Sequence, residues 1–142
     1  MEIWKTIAIN DLKRFGVLES SLTSINERIE ALNSKMEGGS LSVNKLPVQG
    51  GGTSQEDKWN DCITLKGNLL RQKKSKQLEY NAIKRALACL TDDERKVLNY
   101  AYINRSQGHM ERIMRAMCVE KTRAYELKDE ALSSFVMAMY GE

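Results

Sequence analysis

The sequence predicts an all-α protein: a long antiparallel helical hairpin, coiled-coil-like, followed by a C-terminal three-helix unit of the helix-turn-helix kind. Three observations carry this expectation. The 142 residues contain a single Pro, and strand-type alternation of apolar and polar residues is almost absent. Two long segments, 1–36 and 56–90, repeat apolar residues at helical spacing and flank a Gly-rich stretch, 37–55. The last part, 91–142, opens on a helix-capping sequence and breaks twice at turn-like segments.

The first segment reads as one long helix over about 4–36. Phe15, Leu18, Leu22, Ile25, Ile29, Leu32 and Met36 step by alternating threes and fours, a heptad seam. A helix of that length spans roughly 50 Å and is too thin to bury the stripe alone, so it needs a partner. Residues 37–55 hold Gly38, Gly39, Ser40, Pro47, Gly50, Gly51 and Gly52, the composition of a flexible linker at the tip of a hairpin. The second helix, over 56–90, draws an apolar side from Trp59, Ile63, Leu69, Leu70, Leu78, Ile83, Leu87 and Leu90. It carries the densest basic run, Arg71-Gln72-Lys73-Lys74-Ser75-Lys76. That run is either a solvated helix face or a phosphate-contacting patch. The two helices pair within one chain or with those of a second copy.

In the third part, Thr91-Asp92-Asp93-Glu94 is a capping box, and Asp92 and Asp93 favour the positive end of the helix dipole. Val97, Leu98, Ala101 and Tyr102 give this helix an apolar face up to Ile103. Asn104 to Gly108 form a turn. The next helix covers about 109–117, with Ile113, Met114 and Met117 inward and the small Ala116 suited to close approach. Cys118-Val119 is a tight turn, with Val119 plugging the core. The last helix starts near Glu120, puts Ala124, Leu127, Ala131 and Leu132 inward, and continues through Phe135, Val136, Met139 and Tyr140 to a Gly141 cap. That apolar tail packs on the hairpin or forms an oligomer contact. Lys121, Thr122, Arg123, Tyr125, Glu126 and Lys128 are left outward, residue types that reach base edges and phosphates. Arg105, Arg112 and Arg115, with Arg71, Lys73, Lys74 and Lys76, are candidates for backbone contacts.

Several function classes are disfavoured. Cys62, Cys89 and Cys118 are far apart and His109 is the sole histidine, so no metal is expected and the cysteines read as reduced and mostly buried. No nucleophile–base spacing or phosphate loop points to an enzyme, and no cofactor is expected. No apolar run is long enough for a membrane span, and the N-terminus lacks signal-peptide character, so a cytoplasmic location without membrane contact is expected. The formal net charge of +3 is unevenly spread. Residues 56–90 carry +4 and residues 91–142 carry −1, yet Arg95 to Lys128 alone holds eight basic and three acidic residues.

The spacing Leu90-x-Asp92-x-Glu94-Arg95-x-Val97-Leu98-x-x-x-Tyr102-Ile103, then Ile113-x-x-x-Met117-Cys118-Val119, then Thr122-x-x-Tyr125-x-x-Lys128-x-x-Ala131-Leu132 resembles sigma-factor region 4. Within that superfamily it looks most like the phage ArpU/RinA-type late transcription regulators. The resemblance is detailed over residues 90–140 and only architectural over 1–89. It implies a phage or prophage protein acting in the bacterial nucleoid, with double-stranded DNA near late promoters as partner and activation of late genes; the long helices are expected to make it a homodimer or to hold host RNA polymerase. Two residues depart from the pattern. Cys118 stands where glycine is common, at a cost of roughly 1–2 kcal/mol if the turn is left-handed. Glu120 stands where Ser or Thr often caps the recognition helix. Two other expectations remain open: a small-terminase-like DNA-packaging protein, and a polymerase-interaction module that does not bind DNA directly.

Overall fold

A computed structural model of the chain describes residues 2–37 and 52–142, the first four of the latter by backbone alone. Every regular element among the described residues is helical. They are α1 (Glu2–Glu37), α2 (Gly52–Ala88), α3 (Asp92–Leu98) continued by a wider π turn (Asn99–Ile103), α4 (His109–Met117) and α5 (Lys121–Tyr140). The segment read as linker is therefore helical at both ends. Glu37 closes α1 and residues 52–55 open α2; the rest of it lies outside the described residues. Glycine weakens a helix interior, but at a first turn, where N–H groups lack intrahelical partners anyway, a Gly-Thr-Ser start is tolerated. No described helix is long and apolar enough to cross a membrane.

The chain divides into two bodies, residues 20–77 and residues 1–19 with 78–142. In the first of these, Ile25, Ile29 and Leu32 of α1 bury against Leu69 of α2, with Cys62 packed on them. The covered side of α2 includes Trp59 and Leu69, as expected, but departs from the expected side elsewhere. Trp59, Cys62, Lys66, Leu69, Lys73 and Lys76 are partly or fully buried, whereas Ile63, Leu65 and Leu70 are exposed. Those covered positions step by 3, 4, 3, 4 and 3, so the seam is regular but three of its six places are lysines. A lysine can lay its aliphatic stem over apolar neighbours and keep its ammonium in water, which hides the seam from a search for apolar residues.

The other body holds the main core. Ala8, Leu12 and Leu18 of α1, Ile83, Ala86 and Leu87 of α2, and Val97, Leu98, Ala101 and Tyr102 form one cluster with Met110, Ile113, Ala124, Ala131, Leu132, Phe135 and Val136. Leu78, expected inward, is 63% exposed. Phe15 stacks on Tyr80 with ring centroids 4.8 Å apart, and Arg14 pairs with Glu79 at 3.0 Å. The apolar tail of α5 belongs to this core: Phe135 and Val136 are fully buried, Tyr140 packs on Trp4 at 5.1 Å and donates its hydroxyl proton to Asp11. Ala116, expected at a close approach, is exposed, and Met110 is buried on α4 instead.

The capping box forms as spelled. Thr91 Oγ1 accepts from the Glu94 N–H at 3.2 Å and the Glu94 carboxylate accepts from the Thr91 N–H at 3.0 Å. Burial raises the pKa of Glu94, but hydrogen bonds from Ser134 and Thr91 outweigh it and leave the value lowered. The unfolded chain then binds that proton more readily. The contribution of Glu94 is complete above the ordinary carboxylate value of 4.5 and disappears as pH falls through the lower folded-state value. Glu94→Gln should flatten this acid limb of stability in urea titrations run across pH; an unchanged limb would refute the assignment.

Two of the three cysteines depart from the expected burial. Cys62 is half-buried, but Cys89 and Cys118 are exposed, and all three are free thiols. Cys118 is exposed because it is the turn. Its φ of 56° and ψ of 47° are left-handed, and its N–H closes α4 on the Met114 carbonyl. It is the one non-glycine residue with positive φ among those described. Cys118→Gly is expected to stabilise the protein by about 1 kcal/mol, since a β-carbon is disfavoured there, while Cys118→Ala should give no gain. Chemical denaturation of both variants tests this.

Candidate nucleic-acid interface

The elements that could meet a duplex are α4, its turn and the first turns of α5. α4 ends on the left-handed Cys118; Val119, half-buried, packs on the core and its N–H reaches the Met114 carbonyl at 3.0 Å. Glu120 then begins α5 in extended conformation, φ −80° and ψ 170°, without a side-chain cap. The helices are anchored by Ile113 on α4 and by Ala124 and Ala131 on α5, all buried. With that face fixed, the helical period decides what the opposite face shows.

The expected reading residues divide into two groups. Lys121 and Thr122 are exposed, and Tyr125 is 48% exposed, so these three form an open N-terminal face on α5. Arg123 is exposed but engaged. Its Nη1 lies 3.0 Å from Glu126 Oε2 and 3.2 Å from Glu130 Oε1, so Glu126 is likewise tied along the helix. Lys128 is half-buried and turned toward the preceding elements. Its Nζ lies 5.4 Å from the Tyr102 ring and 5.8 Å from the Tyr125 ring. Burial, and then the Arg105 charge, lower its pKa. Arg123 is outward as expected but held in ion pairs, whereas Lys128, expected outward, is half-buried.

The expected backbone contacts fare differently. Arg105, Arg112 and Arg115 are exposed on the turn before α4 and on α4 itself. Of the four cations in the basic run of α2, which lies in the other body, Arg71 and Lys74 are exposed, and Arg71 donates to Asn68. Lys73 and Lys76 fall on the covered seam, so the run is two rows of cations rather than one patch. Arg95, counted in the locally basic stretch, is taken up internally. It donates to the carbonyls of Leu87 at 3.2 Å and Leu90 at 2.6 Å and pairs with Asp92. The usable positive charge between Arg95 and Lys128 is thus smaller than the sequence count.

The π turn shapes the remaining corner. Asn104 N–H reaches the Asn99 carbonyl at 2.8 Å and the two side-chain amides meet at 2.6 Å, closing the widened turn. Ala101 and Tyr102 both face the core as a result. Burial and the Asp129 carboxylate raise the Tyr102 pKa, with Arg105 opposing them. His109 opens α4 beside this corner, where burial, then Arg105 and Lys128, lower its pKa. Neither Tyr102 nor His109 belonged to the expected site. The only sequence signal was that Arg105 and His109 are four residues apart around a turn. Among the described residues no group of His, Cys, Asp and Glu could hold a metal ion.

Comparison with protein-family models, with curated proteins and with solved structures gives no match to this chain.

Proposed function

We propose that this protein is a sequence-specific, non-enzymatic DNA-binding regulator of transcription that presents the N-terminal face of α5 to the major groove. The observation that carries the reading is the α4–turn–α5 arrangement. Two helices with buried inner faces meet at a left-handed residue, and the second exposes Lys121, Thr122 and Tyr125 at its start. That is how a recognition helix is offered in helix-turn-helix proteins, with the first helix lying across the phosphate backbone. Arg112 and Arg115, exposed on α4, suit that backbone role. The resemblance to ArpU/RinA-type phage late regulators over residues 90–140 supports the same reading and adds late-gene activation, with host RNA polymerase proposed as a partner of the long helices.

The test is duplex binding by fluorescence anisotropy with DNA from the gene's own neighbourhood. Lys121→Ala is expected to weaken binding by about 1–3 kcal/mol, as for a base contact. Arg123→Ala should cost less than Lys121→Ala, because Glu126 and Glu130 already hold that guanidinium. Affinity should also fall steeply with salt as phosphates are neutralised. Salt-independent binding, or full affinity in Lys121→Ala, would overturn the proposal.

A further inference from the structure

The tail of α5 packs on the end of α2, and a groove with two lobes runs between them. One lobe, of about 540 Å³, lies among Leu90, Ser133 and Met137, with Glu94 and Glu142 on it. The other, of about 350 Å³, lies over Ala82, Ala86 and Met139, with Arg85 on it. Cys89 and Ala138 line both lobes, so they mark the middle. Local sequence makes the groove shallow-floored. Ala82, Arg85, Ala86 and Cys89 follow at helical spacing on one face of α2, as Ser134, Met137 and Ala138 do on α5. Five of these seven are Ala, Ser or Cys, and small side chains let a further helix approach closely. Met137 is different: it is a large apolar side chain, 59% exposed, directly after the buried Phe135 and Val136.

The two ends of the groove are opposite in kind. At one end Met137 stands out, and the left-handed Gly141 turns the chain so that Glu142 lies on the same lobe. Glu94 on that lobe is already taken up by the Thr91 N–H. At the other end Ala82 and Ala86 leave room and Arg85 supplies a guanidinium. Arg85 and Glu142 are exposed and in no ion pair among the described residues. A partner of a single charge sign meets a like charge at one end or the other. A second copy of the chain does not. A twofold axis lays each end on the opposite end of the copy, so a protruding side chain meets a hollow and a cation meets a carboxylate, each twice.

We infer that two copies of this chain pair through the α2–α5 groove, with the twofold axis passing beside Cys89 and Ala138. Met137 of each copy enters the alanine-lined lobe of the other, and each Arg85 pairs with the partner's Glu142. The two Cys89 thiols come together at the axis. The pairing leaves the N-terminal face of α5 open, because Lys121 lies sixteen residues before Met137, about 24 Å along the helix. It uses neither the heptad seam of α1 nor any contact with DNA, so it stands or falls apart from the DNA-binding reading.

Sedimentation equilibrium of the full chain is expected to show a reversible dimer. Arg85→Glu should raise the dimer dissociation constant by about tenfold or more, since it sets like charges against each other at two places. Met137→Lys should act in the same direction. Both side chains are exposed, so circular dichroism should show the fold unchanged. Joining Arg85→Glu with Glu142→Arg should recover most of the lost affinity, a rescue that only contact between the two positions gives. In a chain carrying Cys62→Ser and Cys118→Ser, a short bis-maleimide should link two copies through Cys89, and adding Met137→Lys should suppress the link. A monomer at every concentration overturns the inference and leaves the groove to another occupant. A dimer that Arg85→Glu and Met137→Lys leave intact overturns it too, because such a dimer uses another face. Loss of the dimer without rescue by the charge exchange, or without a link through Cys89, refutes the twofold arrangement.

Discussion

Phe135→Ala is expected to lower unfolding free energy by about 3–5 kcal/mol, the largest effect of any single substitution considered. Phe135 is fully buried, and it is the largest of the fully buried side chains. Its ring sits on α5 between Leu132 and Val136, in the cluster that also takes in Leu12 of α1 and Ile83 of α2. Removing it deletes transfer free energy and leaves a cavity that three helices cannot all close upon. Phe135→Leu, which keeps most of the volume, should cost clearly less. Urea denaturation monitored by circular dichroism gives both numbers. A loss below about 1 kcal/mol for Phe135→Ala would mean that the tail of α5 is not part of this core. Under the DNA-binding proposal, duplex affinity should fall along with stability, because the same core fixes the inner faces of α4 and α5.

The second large effect is Arg95→Ala, expected to cost about 2 kcal/mol. α2 ends at Ala88 and α3 begins at Asp92, and the carbonyls at a helix end have no intrahelical partner. The Arg95 guanidinium fills that gap, with Nη1 at 3.2 Å from Leu87 O, 3.5 Å from Ala88 O and 2.6 Å from Leu90 O. Its pairing with Asp92 adds little, since the Asp92 side chain is 84% exposed. Asp92→Ala should therefore be nearly neutral. Arg95→Lys should recover part of the loss, because one nitrogen, Nη1, meets all three carbonyls and an ammonium can take its place, while the Nη2 contact with Asp92 is given up. Equal losses for Arg95→Ala and Asp92→Ala would show the surface ion pair, and not the carbonyl bridge, to be what holds the corner. Under the DNA-binding proposal, Arg95→Ala should also leave the salt dependence of duplex binding nearly unchanged, since this cation already has internal partners.

How legible the candidate site was differs residue by residue. Arg123 lies three residues before Glu126 and seven before Glu130, a spacing that places all three on one helix face. Its engagement was therefore open to a sequence reading that weighed ion pairs against base contacts. Lys128 was not legible in this way. Tyr125 is three residues before it, but the Tyr102 ring over which it also lies stands more than twenty positions away in the sequence, and only the tertiary structure brings the two together. Lys73 and Lys76 show the same limit in α2. Their positions continue a regular heptad through Trp59, Cys62, Lys66 and Leu69, but a search for apolar residues follows the exposed Ile63 and Leu70 instead.

The sequence by itself determined the helices and their stops: the capping box at Thr91, the turn at Cys118 and the glycine cap at Gly141. These depend on hydrogen bonds and sterics within about four residues, so a short window of side-chain types specifies them. Only the tertiary structure decided where the charges go. It sent Arg95 to the end of α2, Lys128 over Tyr102, Lys73 and Lys76 onto the covered seam, and left Lys121 open. A long cationic side chain has an apolar stem and a charged tip, so its chemistry fits either side of a helix. Which side is covered depends on neighbours that are close in space and distant along the chain.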